Sequence, residues 1–421
     1  MKKLVSMLTV GLMLVMMLCG CGSAVADEAD DVVTYESGDY KYILLEDGTA
    51  QITGYMGNDK ELVIPDSLDG KVVTDIASFS FLYRSALTEV TIPDSIISIG
   101  GSAFMGCKSL TRVTISKSLA KIGASPFSYC TSLTNIVVNP ENATFAAIDG
   151  VLFRKTDKLL ICYPCGKKSE NYQVPDGIIG IANLAFYWCT NLKEVSIPDS
   201  VIYIGESAFY KCTSLAKVEV SNYVTQMGNN PFQACSCLKE IIVDSENVDF
   251  AAIDGVLFNK TNKTLISYPC GKVDNSYQIP EGTETIGEDA FYECSNLSEI
   301  EIPDSVTSIG NRAFDHCDSL TKVLIPSSVT SIEDETFIYC SALSDVLIPN
   351  SVMSIGSCVF YECSSLYGIT IPESVIYMDK DAFAGCDNLT LTVTRDSYAA
   401  QYAEKNGIPY TYPDSNDWLN S

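Results

Sequence analysis

Residues 306–328 read VTSIGNRAFDHCDSLTKVLIPSS and residues 329–351 read VTSIEDETFIYCSALSDVLIPNS, two copies of one unit set end to end. The same frame extends in both directions. Phenylalanine recurs at Phe81, Phe104 and Phe127, at Phe186, Phe209 and Phe232, and at Phe291, Phe314, Phe337, Phe360 and Phe383, with a leucine six residues after each, from Leu87 to Leu389. A chain of 421 residues would by length alone hold about two or three globular domains. A fixed period outranks that expectation and marks a stack of repeats.

Read cyclically, the unit is L-x-x-V-x-I-P-x-S-V-x-x-I-G-x-x-A-F-x-x-C. Its opening has the period of a strand, in which alternate residues face opposite sides. The Val and Ile of V-x-I therefore point inward and their neighbours outward. Pro303, Pro326, Pro349 and Pro372 end the strand, because proline has no N–H to give to a ladder. Ser305, Ser328, Ser351 and Ser374 follow two residues later, where a hydroxyl can satisfy backbone groups of the turn. The A-F-x-x-C stretch is expected to be a short helical turn with Phe and Cys inward. No unit buries its apolar face alone, so stability has to come from stacking on neighbours.

The frame is interrupted twice, by FAAIDGVLFRKTDKLLICYPCGK from Phe145 and FAAIDGVLFNKTNKTLISYPCGK from Phe250. Two apolar runs flank the polar tips Arg154–Lys158 and Asn259–Lys263, which reads as a β-hairpin in each case. The division expected is a signal peptide over 1–20, an acidic tether over 21–38 and an N-terminal cap over 39–65. A solenoid follows over 66–393, with inserts near 145–168 and 250–272, and then a C-terminal cap over 394–421. Asp47-Gly48 supplies the turn of the first cap. The second has a closing helix stopped by Gly407.

Lys2 and Lys3 precede an uncharged run from Leu4 to Leu18, too short for a span of roughly twenty residues and suited to an export signal. Cys21, preceded by the small Gly20, is expected to become the acylated N-terminus, since two or three acyl chains at roughly 0.8 kcal/mol per buried CH₂ hold a protein at a membrane. The net charge of −26 becomes −28 once Lys2 and Lys3 leave with the signal. A nucleic-acid binder needs a basic stripe, so nucleic acid is excluded as a partner, and the lipid anchor is expected to be the sole membrane contact. The excess acid favours basic patches on partners, or serves solubility alone.

The motif I-P-x-S-V-x-x-I-G-x-x-A-F-x-x-C-x-x-L, the D-G-V-L-F inserts and the closing N-G-I-P-Y together resemble the BspA-like leucine-rich-repeat surface proteins over residues 40–413. That resemblance implies a leucine-rich-repeat solenoid with a parallel β-sheet on its concave face, exposed outside the cell and used in adhesion or host-protein binding. It brings no catalytic residues. Arg84 departs from the cysteine column, Val220-Ser221 and Val243-Asp244 lack the proline, and Val359 replaces the alanine.

Cys107, Cys130, Cys189, Cys212, Cys235, Cys294, Cys317, Cys340, Cys363 and Cys386 share one column. Neighbours would lie near disulfide distance, but a run of five cannot pair off, and buried free cysteine behaves as a small hydrophobe. Cys162 and Cys165 make a C-Y-P-C that the second insert reduces to Cys270, which argues against a shared redox or metal role. The single histidine, His316, falls in a column that also holds Tyr339, Glu362 and Gly385 and is read as a solvent position. No Ser/His/Asp or Cys/His set is available without it. Calcium on acidic turns would lack the D-x-D-x-D-G loop. No enzyme activity, cofactor or metal is therefore expected.

The outward strand positions are free of core duty. Glu299, Glu301, Lys322, Leu324, Asp345 and Leu347 are the candidate partner-binding residues, with Leu324 and Leu347 as an apolar pair inside a charged rim; β-propensity on a half-exposed strand would produce the same pair. The function expected is that of an exported, lipid-anchored, monomeric binding or adhesion protein for extracellular or host proteins. The alternative is a structural surface spacer without a ligand.

Overall fold

The computed structural model describes residues 33–413; the export segment 1–20, Cys21, most of the acidic tether and residues 414–421 lie outside the described residues. Each unit makes one coil of a parallel β-solenoid. The V-x-I segments are strands such as Arg112–Ile115, Lys322–Leu324 and Asp345–Leu347. Within sheets of three or four strands, neighbours one unit apart pair in parallel, so that Lys322, Val323 and Leu324 face Asp345, Val346 and Leu347. A second ladder runs along another side of the coil, built of two-residue strands such as Ser98–Ile99 beside Lys121–Ile122 and Ser331–Ile332 beside Ser354–Ile355.

The space between the ladders is filled by the repeated columns. Phe291, Phe314, Phe337, Phe360 and Phe383 stack ring on ring, with centroids 4.9, 5.3, 5.7 and 5.3 Å apart and planes within 16°. Tyr55 seats the first phenylalanine, Phe81, at 5.3 Å. The serine column ties coil to coil: the hydroxyls of Ser305, Ser351 and Ser374 donate to the carbonyls of Thr283, Val329 and Val352 at 2.8, 2.7 and 2.8 Å.

The cysteine column is free of disulfides. The Sγ atoms of Cys107, Cys130, Cys212, Cys235, Cys317, Cys340 and Cys363 each sit 3.1 Å from the carbonyl of a phenylalanine in the preceding coil. The C-Y-P-C cysteine Cys165 makes the same contact, to the Cys130 carbonyl at 3.1 Å. Burial pushes the thiols of Cys317 and Cys340 well above the ordinary range, and that of Cys165 up to about 12. Since the thiolate is the reactive form, a thiol reagent at neutral pH should label the exposed Cys237 readily and the fully buried column cysteines only after denaturation. Denatured without reductant, the body should yield at least ten further thiols. A count near zero would mean a disulfide-stapled rod.

The inserts and the N-terminal cap differ from the sequence expectation. Each insert is a three-stranded antiparallel meander with two turns where a single hairpin was expected. Phe145–Ile148 pairs with Val151–Arg154, which pairs with Leu159–Cys162, and the last strand joins the second ladder beside Gly180–Ile181. The additional turn is Asp149-Gly150, with φ of 50° and 77°, the backbone a tight hairpin requires and Asp-Gly supplies. The copy at Phe250–Ile253, Val256–Asn259 and Thr264–Ser267 is built alike. The N-terminal cap also begins earlier than expected, because Tyr35–Ser37, within the stretch read as tether, is a strand paired with Tyr40–Leu44. At the other end the helix Tyr398–Asn406 closes the stack, with Ser397 accepting from the Ala400 amide and Gly407 at φ 68°.

Candidate functional site

The outward strand residues lie where the pleat places them. Leu324 and Leu347 are 49% and 56% exposed and sit side by side in the ladder. Glu299, Glu301, Lys322 and Asp345 are exposed around them, and Lys322 pairs with Asp345 at 2.7 Å. The two leucines help to line a shallow groove of about 380 Å³ with Glu301, Asp304 and Pro326. All six expected partner-binding residues thus share one face.

A larger concavity than this groove lies elsewhere, at the A-F-x-x-C corners. These corners are not helical. In the coil of Phe314, the amides of Asp315 and Cys317 bond to the carbonyls three residues back, of Arg312 and Phe314, at 3.1 Å each, while those of Phe314 and His316 cross to Thr336 and Ile338 in the next coil at 2.9 and 3.0 Å. Arg312 and His316 hold left-handed backbones, φ 53° and 55°. Such turns carry the two residues after each phenylalanine away from the phenylalanine column.

In the inserted coils the corner is one residue shorter, Tyr163-Pro164-Cys165 and Tyr268-Pro269-Cys270, and projects no long side chain. Neighbouring corners close over the gap. Tyr129 meets Trp188 edge to face at 4.6 Å across the first inserted coil. Tyr210 reaches Tyr292 past both the Phe232 coil and the second insert, with their hydroxyls 3.2 Å apart, and Lys211 pairs with Glu293 at 2.8 Å. Tyr187, Tyr210, Ala234 and Tyr292 form a small apolar cluster of their own outside the phenylalanine column. The result is a cleft of about 560 Å³, whose walls include Tyr83, Tyr129, Trp188, Lys211, His316 and Tyr339.

The charges at the floor are paired. Arg312 lies 5.0 Å over the Tyr292 ring and faces Asp289, Asp315 and Glu335 at 3.7, 2.8 and 3.5 Å. Burial pushes the Asp289 carboxyl up to about 7 against the pull of Arg312. His316 is not the solvent position its variable column suggested. It is half-buried between Tyr292 and Tyr339, with centroids 6.2 and 4.5 Å away, and hydrogen-bonded to Asp315. Burial alone would lower its pKa, but the bond and charge of Asp315, helped by Glu293 and Asp318, raise it. Among the described residues, no group of three or more His, Cys, Asp or Glu side chains converges as a metal set would.

Residues 60–165, 160–276 and 268–390 match the BspA type leucine rich repeat region. The chain belongs to this family. It is similar to a leucine rich cell surface protein from Faecalibacterium prausnitzii, at 29% identity over 93% of this chain and 97% of that one, with a TM-score of 0.57. The pneumococcal vaccine antigen PcpA shares the fold at 19% identity over 90% of this chain and 98% of that one, with a TM-score of 0.55. Among curated proteins none matches. The columns that carry the BspA-type repeat here, Phe, Cys, Leu and the V-x-I pair, are the buried ones. Both candidate surfaces are built from the positions that repeat leaves open.

Proposed function

We propose that this chain is a non-catalytic binding protein, lipid-anchored through Cys21 at the cell surface, that holds extracellular or host proteins on the outward strand face between Glu299 and Leu347. The observation that carries the reading is the exposed Leu324–Leu347 pair, adjacent in the ladder and ringed by charge. An apolar centre within a polar rim is the anatomy of an interaction patch. The surrounding acids Glu299, Glu301, Asp304 and Asp345 outnumber Lys322, which favours a partner presenting an apolar anchor among basic groups. Surface exposure is supported by the likeness to a protein described as a leucine rich cell surface protein.

The test uses residues 38–421 as soluble body against a panel of purified extracellular-matrix and epithelial surface proteins. Truncating a central anchor at an interface costs about 2 kcal/mol or more, so the double change Leu324→Ser and Leu347→Ser should weaken binding by roughly thirtyfold and leave the melting temperature almost unmoved. Affinity that survives this change but is lost when the turns at Lys155–Lys158 and Lys260–Lys263 are trimmed would move the site to the inserts. A body that binds none of the panel would favour the spacer.

A further inference from the structure

We propose that the corner cleft is a binding site for a neutral oligosaccharide, separate from the strand face assigned to protein partners. Three features of the cleft lead there. The first is a set of aromatic rings that the corners bring together from coils apart along the chain. Tyr83 is 45% exposed, and Tyr129, Trp188 and Tyr339 are half-exposed at the walls. They stand over the buried Tyr187, Tyr210 and Tyr292, which hold the floor rigid. The C–H face of a pyranose ring carries partial positive charge and packs on the negative face of such rings.

The second feature is charge balance. The lining holds Lys108, Lys211 and Arg312 against Glu293, Asp315 and Glu335, in a chain whose net charge is −26. An anionic ligand would enter against the field of the whole molecule. A cationic ligand would have to displace cations already seated on the rings, since Lys211 lies 5.4 Å from the Trp188 centroid and 5.6 Å from that of Tyr210, and Arg312 covers Tyr292. A purely apolar ligand would strip water from the paired charges with nothing in return. A neutral polyol meets no opposing field and strips no ion pair, and it can stack on the exposed Tyr83 ring while Lys108 and Lys211 stay over Tyr129 and Trp188. Its hydroxyls donate to the carboxylates of Glu293 and Glu335 and accept from Lys108 and Lys211 without breaking an ion pair.

The third feature is shape. The cleft is half open to solvent, so it can take part of an oligosaccharide chain while both ends of that chain stay outside. The shortened corners at Pro164 and Pro269 draw its walls together, which ties the site to the two inserts that interrupt the repeat.

The chain has two tryptophans, Trp188 and Trp418, so Trp188 emission in a Trp418→Phe body reports on the cleft. The probes are neutral linear hexasaccharides of glucose, mannose, galactose and xylose, with a sulfated and an amino-sugar hexasaccharide as charged controls. The expected result is a saturable change in Trp188 emission with at least one neutral probe, at an affinity insensitive to salt because no ions are exchanged. Removing one platform by Tyr83→Ala or Tyr129→Ala should weaken that binding by about tenfold, with the emission of Trp188 in the free protein confirming the fold. The Leu324→Ser, Leu347→Ser pair should leave it unchanged, which separates this site from the protein-binding face. The proposal is overturned if no neutral hexasaccharide binds at millimolar concentration, if a charged control binds more tightly with a steep salt dependence, or if saccharide binding survives Tyr83→Ala and Tyr129→Ala together.

Discussion

Phe314→Ala is expected to cost about 3–5 kcal/mol of stability, the range for emptying a fully buried phenylalanine site. The ring has no exposed surface and lies between Phe291 at 4.9 Å and Phe337 at 5.3 Å. Its amide and that of Phe337 are both committed to coil-to-coil bonds, to Thr336 and Val359, so the backbone cannot collapse into the space. In a solenoid each coil is stabilised through its neighbours, and a weak coil at this place divides the C-terminal stack. Urea unfolding should show the midpoint falling and the transition broadening as the coils on either side separate. Phe314→Leu, which keeps most of the volume, should recover much of the loss. A destabilisation under about 1 kcal/mol for the alanine variant would mean that the phenylalanine column is not what binds the coils.

What could be read from the sequence was whatever repeats for a buried reason. Phe, Cys, Leu and the V-x-I pair are constrained identically in every coil, so they form columns, and columns reveal strand, core and period together. The second ladder was harder because its strands, such as Ser98–Ile99, are two residues long and show no alternation. The corner turn reads as helical because A-F-x-x-C has helical spacing of its apolar residues, whereas its amides alternate between bonds within the turn and bonds to the next coil. The left-handed backbone at Arg312 and His316 follows from amides that bond across coils, and nothing in one unit foretells those bonds.

The strand face was legible because neighbours in register are simply one unit apart, as Leu324 and Leu347 are. The cleft was not. Its side chains come from coils that are distant along the chain, such as Lys211 and Glu293, and they meet because the inserted coils turn on a shorter corner. His316, Tyr339 and Glu362 share a column that varies from unit to unit, and variation is what both a solvated surface and a binding wall look like. The signal available was the pairing of an absent corner, at Pro164 and Pro269, with an excess of aromatic residues on the corners around it.

Asn247→Ala is expected to destabilise the second insert by about 3 kcal/mol or more, because it strands several buried groups that each cost about 1–3 kcal/mol unpaired. Asn247 is 1% exposed. Its Nδ2 donates to the carbonyls of Ser221 and Val224 at 2.8 and 3.0 Å, and its Oδ1 accepts from the amides of Asp249 and Phe250 at 2.9 and 2.7 Å. Both donors and both acceptor sites of the amide are used, the full inventory of that side chain. Asn142 repeats the arrangement in the first insert, with the carbonyls of Ser116 and Leu119 and the amides of Thr144 and Phe145. Each asparagine sits one unit after an apolar residue, Leu119 or Val224, so a polar group interrupts a core column where the chain leaves the regular coil. Asn247→Asp keeps the shape but replaces the donor that faces two carbonyls with an acceptor oxygen and buries a charge, and should cost at least as much as alanine. The two sites are far apart and share no partner, so the losses in an Asn142→Ala, Asn247→Ala double variant should add. Thermal unfolding, with hydrogen exchange at the Phe145 and Phe250 amides, measures both the size and the place of the effect. Fast exchange at Phe250 with Phe145 still protected is the expected pattern for Asn247→Ala alone; a change of less than about 1 kcal/mol with both amides protected would show that the inserts are held by their strands and not by these side chains.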